Sequence, residues 1–325
     1  MGTPDSLSER LAQAQLDVVA QAFGDAPFTT AQACAAGLSR GQLNRLIEKG
    51  LLEAILYGVY RRSRGPLDLA DRARAVALML PSGSAVVRRT AAWLLGVDAR
   101  PPAERGVPME VECAVPLGAT PIRRAHVRCY QTELEPSDLS DHHGLPTTTP
   151  TRTSADLLRW DGRPMGFAVA DALAATGVIE PAEVLELLVR WPGHRFVRQA
   201  RQLASWLEPL TESFGESWLR LRILEAGFPR PTAQIPIFDH RGRCVYRLDL
   251  GWPELRIGIE YDGDEFHSGQ DALRADRFRR RRLGADFGWQ VTGVGRGEVL
   301  GRGLELERGI GELLGLAPTI IRRTW

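Results

Sequence analysis

Lysine is almost absent from this chain. The sequence holds 41 basic residues, and Lys49 is the single lysine among them, so any chemistry that needs a lysine elsewhere is excluded. Cysteine is also scarce. Cys34, Cys113, Cys129 and Cys244 form no Cys-x-x-Cys pair and no zinc spacing, which leaves buried thiols in a reducing compartment as the default reading. Charge of one sign is lacking too, because the net charge is +1, so nucleic-acid binding would have to come from local patches. No apolar run approaches the length that spans a bilayer. The polar, amphipathic start Met1–Gly24, with Asp5, Glu9 and Arg10, does not read as a signal peptide. The expectation is a cytoplasmic protein with no membrane partner. Its 325 residues, 44% of them hydrophobic, are enough for two or three domains with real cores.

What is present is an unusual gathering of acids. Arg247-Leu248-Asp249-Leu250 and Ile259-Glu260-Tyr261-Asp262-Gly263 read as two adjacent strands, with His267 shortly after. By the period-two rule Ile257, Ile259 and Tyr261 share one face and Glu260 and Asp262 the other, within reach of Asp249. Three carboxylates on one patch repel unless a cation sits between them or one stays protonated. Hard oxygen donors beside a phosphate suit Mg²⁺. The alternative is a structural set of acids, solvated or paired with arginine.

The order of elements around the patch agrees. A helix is predicted over roughly Phe214–Ala226, followed by strands near 233–238, 244–250 and 256–262. A basic helix at about Asp271–Ala285, a strand near Trp289–Val294 and a last helix near 298–315 complete an αβββαβ series. This stretch resembles the core of the PD-(D/E)xK nuclease superfamily. The finer pattern is similar to its very-short-patch-repair-like branch, carried by Asp249, Glu260-Tyr261-Asp262-Gly263, His267, Asp276-Arg277 with Arg279 and Arg280, Leu283 and Gly288-Trp289. The resemblance implies DNA phosphodiester hydrolysis with Mg²⁺ or Mn²⁺, Asp249 and Glu260 holding the metal with help from the Tyr261 carbonyl. It also implies that His267 or Asp262 manages protons. Two departures stand out: Asp262 occupies the place of the superfamily lysine, and His267 has no histidine neighbour. The superfamily's helix glutamate maps to Glu216, which is equally readable as an acid favoured at a helix start.

The N-terminal segment carries a second signal. Thr29-Thr30-Ala31-Gln32 and Ser39-Arg40-Gly41-Gln42 both fit the capping-box pattern, with a tight turn at Ala36-Gly37-Leu38 between them. This is a helix-turn-helix whose second helix, about Arg40–Lys49, turns Leu43, Leu46 and Ile47 inward. Leu51–Arg62 then reads as a two-stranded wing. From Phe28 to Gly65 there are six Arg or Lys against two Glu. Arg40, Gln42, Arg45 and Lys49 on the helix, with Arg61 and Arg62 on the wing, are the candidate DNA contacts. The other reading is a winged helix used for protein contacts. The segment resembles the winged-helix domain of AbiEi-family antitoxins of type IV toxin–antitoxin systems. Arg88-Arg89-Thr90-Ala91-Ala92-Trp93-Leu94-Leu95-Gly96 and Gly144–Thr153 with Asp156-Leu157 continue the likeness. A cognate toxin or other protein partner is implied.

Smaller features are read blandly. His142-His143 suits a surface loop, and Gly293-Val294-Gly295-Arg296-Gly297 a strand-to-helix turn. The run from Arg277 to Arg282 covers more than one helix face, and Arg277 and Arg280 are candidates to track a DNA backbone. The expected fold class is α/β, a mixed α+β multi-domain chain. Its parts are a winged helix-turn-helix at 1–66, a small α/β unit at 67–160, a helical linker at 161–210 and an endonuclease-like domain at 211–325. The expected function is a DNA-binding protein with a metal-dependent endonuclease domain. The alternative is a non-enzymatic DNA-binding regulator or antitoxin with a degenerate nuclease fold.

Overall fold

The computed structural model describes residues 7–100, 104, 107–121, 123–263, 269–323 and 325, with side chains left out for residues 7 and 269–277. It is a mixed α+β chain with thirteen α-helices and three sheets among the described residues, divided into two compact units, Met1–Thr153 and Ser154–Trp325. No helix among the described residues is long and apolar enough to cross a membrane.

The first unit opens with α1 (Leu7–Phe23), β1 (Phe28–Thr29), α2 (Thr30–Ala35) and α3 (Arg40–Glu48). Both expected capping boxes form: Thr29 exchanges hydrogen bonds with Gln32, and Ser39 with Gln42. Each box satisfies orphan N–H groups at a helix start, which is why the two helices begin where they do. Leu43 and Leu46 of α3 are buried with Phe28, Ala33 and Val19. The wing is β2 (Leu52–Leu56) and β3 (Val59–Arg62), turned at Gly58, whose φ of 73° suits a glycine. With β1 they form an antiparallel sheet in the order β1-β3-β2.

There follow α4 (Leu69–Met79), β4 (Ala85–Val86), α5 (Arg88–Leu94), β5 (Val111–Pro116), β6 (Val127–Thr132), β7 (Leu139–His142) and β8 (Leu145–Thr148). The five strands order as β6-β5-β4-β8-β7. Their core joins Val76, Trp93, Leu94, Val111 and Cys113 to Ile55, Leu56 and Val59, so the wing's inner side chains belong to this core.

Helix α6 (Pro150–Trp160) leads into the second unit, which continues with α7 (Met165–Ala175), α8 (Pro181–Val189) and α9 (Val197–Ala204). Next come α10 (Phe214–Glu225), β9 (Thr232–Phe238), β10 (Cys244–Trp252), β11 (Ile257–Asp262), α11 (Gly269–Phe287) and β12 (Gln290–Gly295). The helix expected over 298–315 is instead two, α12 (Arg296–Val299) and α13 (Glu305–Leu314), parted around Gly301 and Gly303. The αβββαβ order read from the sequence is the order found. The sheet runs β12-β11-β10-β9, antiparallel except for β11 and β12, which are parallel across the α11 crossover. α10 is buried from Gly215 to Leu224, including Arg220 and Arg222. Buried charges must be paired. Arg220 meets Asp171 on α7, and Arg222 meets Glu307 on α13 and the carbonyl oxygens of Val299 and Gly303.

Candidate functional site

The antiparallel register pairs Leu250 with Ile259 and, on the other side, Leu250 with Ala233. One step along lie Asp249, Gln234 and Glu260, where the alternation of β9 and β10 breaks: Ala233 and Leu250 belong to one core, and Ile235 and Leu248 to another. Glu216 reaches Gln234 from the first turn of α10. Its Oε2 accepts from Gln234 Nε2 at 2.8 Å and from the Glu212 N–H at 3.0 Å, while Oε1 accepts from Ser213 Oγ at 2.8 Å. Ser213 in turn caps the helix by accepting from the Glu216 N–H. The helix-start reading of Glu216 therefore holds, and the residue also stands close enough to Asp249 for their charges to repel.

Glycine makes this approach feasible at Gly215. A Cβ there would overlap the Tyr261 ring, so the α10 start can lie against β11 only with hydrogen at that position. The Tyr261 N–H donates to Asp249 Oδ2 at 2.8 Å, fixing one carboxylate oxygen to the neighbouring strand.

All three carboxylates are pushed above their ordinary range. For Glu216 the cause is burial, opposed by the hydrogen bonds from Glu212 and Ser213. For Asp249 it is burial again, opposed by the Tyr261 N–H and by Arg279, and reinforced by Asp262. Glu260 is only 4% exposed, and burial raises it against the pull of Arg279. Such crowding is the arrangement that invites a cation.

The cation in this structure is arginine. Arg279 of α11 grips Glu260 with two hydrogen bonds, Nη1 to Oε1 at 2.8 Å and Nη2 to Oε2 at 2.5 Å. Arg280 lies at 2.9 Å from both oxygens of Asp262. Gly293 of β12, in register with Glu260, leaves the space for this second pair, since a Cβ would meet both Arg280 and Asp262. The donor set has the hard-oxygen chemistry of a Mg²⁺ site. As arranged it does not fit one: the guanidinium groups hold the Glu260 and Asp262 oxygens, the Tyr261 N–H holds one of Asp249, and no three metal-capable side chains gather around a point among the described residues.

The structure thus brings Glu216, Asp249, Glu260 and Asp262 together. His267 lies outside the described residues, and Arg277 falls on α11 where only the backbone is described. Three participants were not singled out as site residues from the sequence. Gln234 sits at φ 52°, an unusual conformation for a non-glycine residue, and bridges to Glu216. Arg279 was visible only as part of a motif. Glu212 adds its charge near Asp249 while pairing with Arg247 at 2.6 Å.

On the winged helix, Arg40, Arg45 and Lys49 are exposed. Gln42 is partly spent locally, its Oε1 accepting from the Ser39 N–H at 2.7 Å. Arg61 is a correction to the sequence reading. It is 1% exposed and bonded to Glu53, Asp71 and the Gly65 carbonyl, so it holds the fold and offers nothing to a phosphate. Arg62, on the opposite face of β3, is 38% exposed and lies 3.5 Å from Asp25.

Comparison with known proteins adds two findings. Two Mycobacterium tuberculosis proteins, "Uncharacterized protein MT2308" of strain CDC 1551 / Oshkosh and "Uncharacterized protein Rv2248" of strain ATCC 25618 / H37Rv, are each 28% identical over 258 residues, covering 79% of this chain and 90% of theirs. The second finding bears on the likeness read from Arg88–Gly96 and Gly144–Thr153, which falls inside the matched span. Residues 84–206 are similar to the family described as the AbiEi antitoxin C-terminal domain.

Proposed function

We propose that this protein is a non-enzymatic DNA-binding regulator of the antitoxin type, acting beside a cognate toxin, with a nuclease-like C-terminal fold. The observation that carries the reading is the match of residues 84–206 to an AbiEi antitoxin C-terminal domain, which follows directly on a winged helix with an exposed basic α3. In this reading Arg40, Arg45 and Lys49 contact phosphates from α3 and Arg62 does so from the wing. Arg279 and Arg280 neutralise the acids of the C-terminal site, which supports a binding rather than a hydrolytic role for that unit. The direct test is a gel-shift titration of the purified chain on its own upstream duplex, in parallel with co-expression alongside the neighbouring gene product. Specific binding and relief of toxicity are expected. Absence of both would overturn the reading.

A second reading is kept by one observation, the convergence of Glu216, Asp249, Glu260 and Asp262 with three raised carboxylates. It is a metal-dependent endonuclease in which Asp249 and Glu260 hold Mg²⁺ or Mn²⁺ once Arg279 has moved aside, with His267 or Asp262 as the proton-handling group. A plasmid-nicking assay with either metal tests it. Cleavage that Asp249→Ala and Glu260→Ala both abolish would establish the endonuclease in place of the regulator. No turnover, or turnover that survives both substitutions, removes it.

A further inference from the structure

The second unit carries an exposed array in which arginines and aromatic rings alternate, and neither reading above uses it. Trp160, the last residue of α6, is 38% exposed, and Phe196, just before α9, is 44% exposed. The two rings meet edge-on at 5.5 Å and 88°. The Arg195 guanidinium stands 4.6 Å from the Phe196 ring and 5.8 Å from Trp160. Arg159 fills the next place, 5.4 Å from Trp160 and 5.2 Å from Trp191, and Trp191 meets the exposed His194 at 5.6 Å.

Three further facts set this array apart from ordinary surface. Residues 189–202 include Arg190, Arg195, Arg198 and Arg201 and no acid at all. Arg201 is turned to the carbonyls of Leu188 and Val189, while Arg190, Arg195 and Arg198 are exposed. Phe196 is held at φ 62°, a conformation that bulky residues rarely adopt, and it caps α9 without any side-chain hydrogen bond. Strain of this kind persists where the surroundings impose it, and it gathers at sites of ligand contact. An exposed aromatic kept in a costly conformation, inside an acid-free basic strip, matches what unpaired bases need. They need flat rings to stack on, cations over those rings and positive charge to follow the backbone.

We propose that the array built on Trp160, Arg195 and Phe196 is a binding surface for single-stranded nucleic acid. Trp160 and Phe196 stack with bases, Arg159 holds Trp160 and Trp191 in place from beneath, and Arg190, Arg195 and Arg198 meet the phosphates. Duplex DNA hides its base faces, so this surface discriminates strands from helices, unlike the winged helix.

The experiment uses the full-length protein and fluorescence anisotropy of labelled oligo(dT) and oligo(rU), with an unlabelled duplex of random sequence as competitor. Binding is expected with quenching of tryptophan fluorescence, and Trp160→Ala should weaken it about tenfold, within the range for losing one stacked base. Phe196→Gly is the informative companion, because glycine adopts positive φ without strain. That variant should fold at least as well as the parent while binding the oligomer about tenfold more weakly. Replacing Arg190, Arg195 and Arg198 together by Ala should reduce the slope of log affinity against log salt by about 2. The proposal is overturned if the parent does not bind either oligomer, which would leave a protein partner as the occupant. It is equally overturned if Trp160→Ala and Phe196→Gly bind like the parent, or if the duplex competes as well as the single strand.

Discussion

Replacing Arg279 by alanine strips two charged hydrogen bonds from Glu260 and leaves a carboxylate that is 4% exposed with Arg280, at 3.6 Å, as its remaining cation. Breaking a fully buried pair in this way costs about 3–5 kcal/mol. Arg279 is itself 34% exposed along its side chain, so water screens part of the interaction, and a loss of about 2 kcal/mol is expected. For a unit the size of Ser154–Trp325 that corresponds to a fall in melting temperature of about 4–8 °C. The double variant Arg279→Ala/Glu260→Gln should recover much of the loss, because a neutral amide is cheaper to bury than an unpaired charge. Differential scanning calorimetry of the four proteins closes the cycle. If Arg279→Ala melts with the parent, or if the double variant is no better than the single one, the guanidinium is not what neutralises this site. The same samples separate the two functional readings. A metal that takes the place of Arg279 would stabilise the single variant by about 2.7 kcal/mol at a hundred times its dissociation constant, whereas a regulator without a metal site melts alike with and without Mn²⁺.

Asp249 binds its proton more tightly in the folded chain than in the unfolded one, so its stabilising contribution is complete below the ordinary value of 3.8 and is lost as pH rises through the raised value. Asp249→Asn should therefore be more stable than the parent near pH 7, with the difference vanishing as pH falls toward 3.8, as read by urea melts across that range. On the winged helix, changing Arg45 and Lys49 together to Ala should lower the salt slope of duplex binding by about 2 and leave the melting temperature unchanged. Arg61→Ala should do the reverse, costing about 1–3 kcal/mol of stability in the first unit through its lost bonds to Glu53, Asp71 and the Gly65 carbonyl, while Arg64 and Arg74 still hold Asp71. Gly293→Ala should force Arg280 off Asp262, visible as a crosslinking or solvent-exchange change at α11 while β12 keeps its register.

The parts of the fold that were legible in the sequence are those written in local chemistry. Thr29 with Gln32 and Ser39 with Gln42 mark helix starts because each box closes within four residues. The alternation through Ile257, Ile259 and Tyr261 fixes which face Glu260 takes, and the structure keeps it, since those three pack in one core while Glu260 meets Arg279 of α11. What escaped depends on residues brought together from far apart. Period-two reasoning on β3 separates Arg61 from Arg62 and puts Arg61 on the side of the buried Val59, yet only the fold reveals Asp71 waiting there. The pairing of Arg279 with Glu260 joins positions nineteen apart across a helical crossover. Gln234 escaped because its part in the site depends on strand register and on an unusual backbone conformation.

The carboxylate of Asp71 serves three guanidinium groups, those of Arg61 on β3, Arg64 just beyond it and Arg74 on α4. With Ile55, Leu56 and Val59 entering the same core as Trp93, the wing and α4 are welded across the point where the chain leaves the winged helix. Modular exchange is therefore restricted at this seam. A different winged helix grafted onto α4 would leave the buried Asp71 with Arg74 alone unless it brought its own arginines to the places of Arg61 and Arg64, so recombination at this point is expected to carry the wing strand and the first turns of α4 together as one heritable piece.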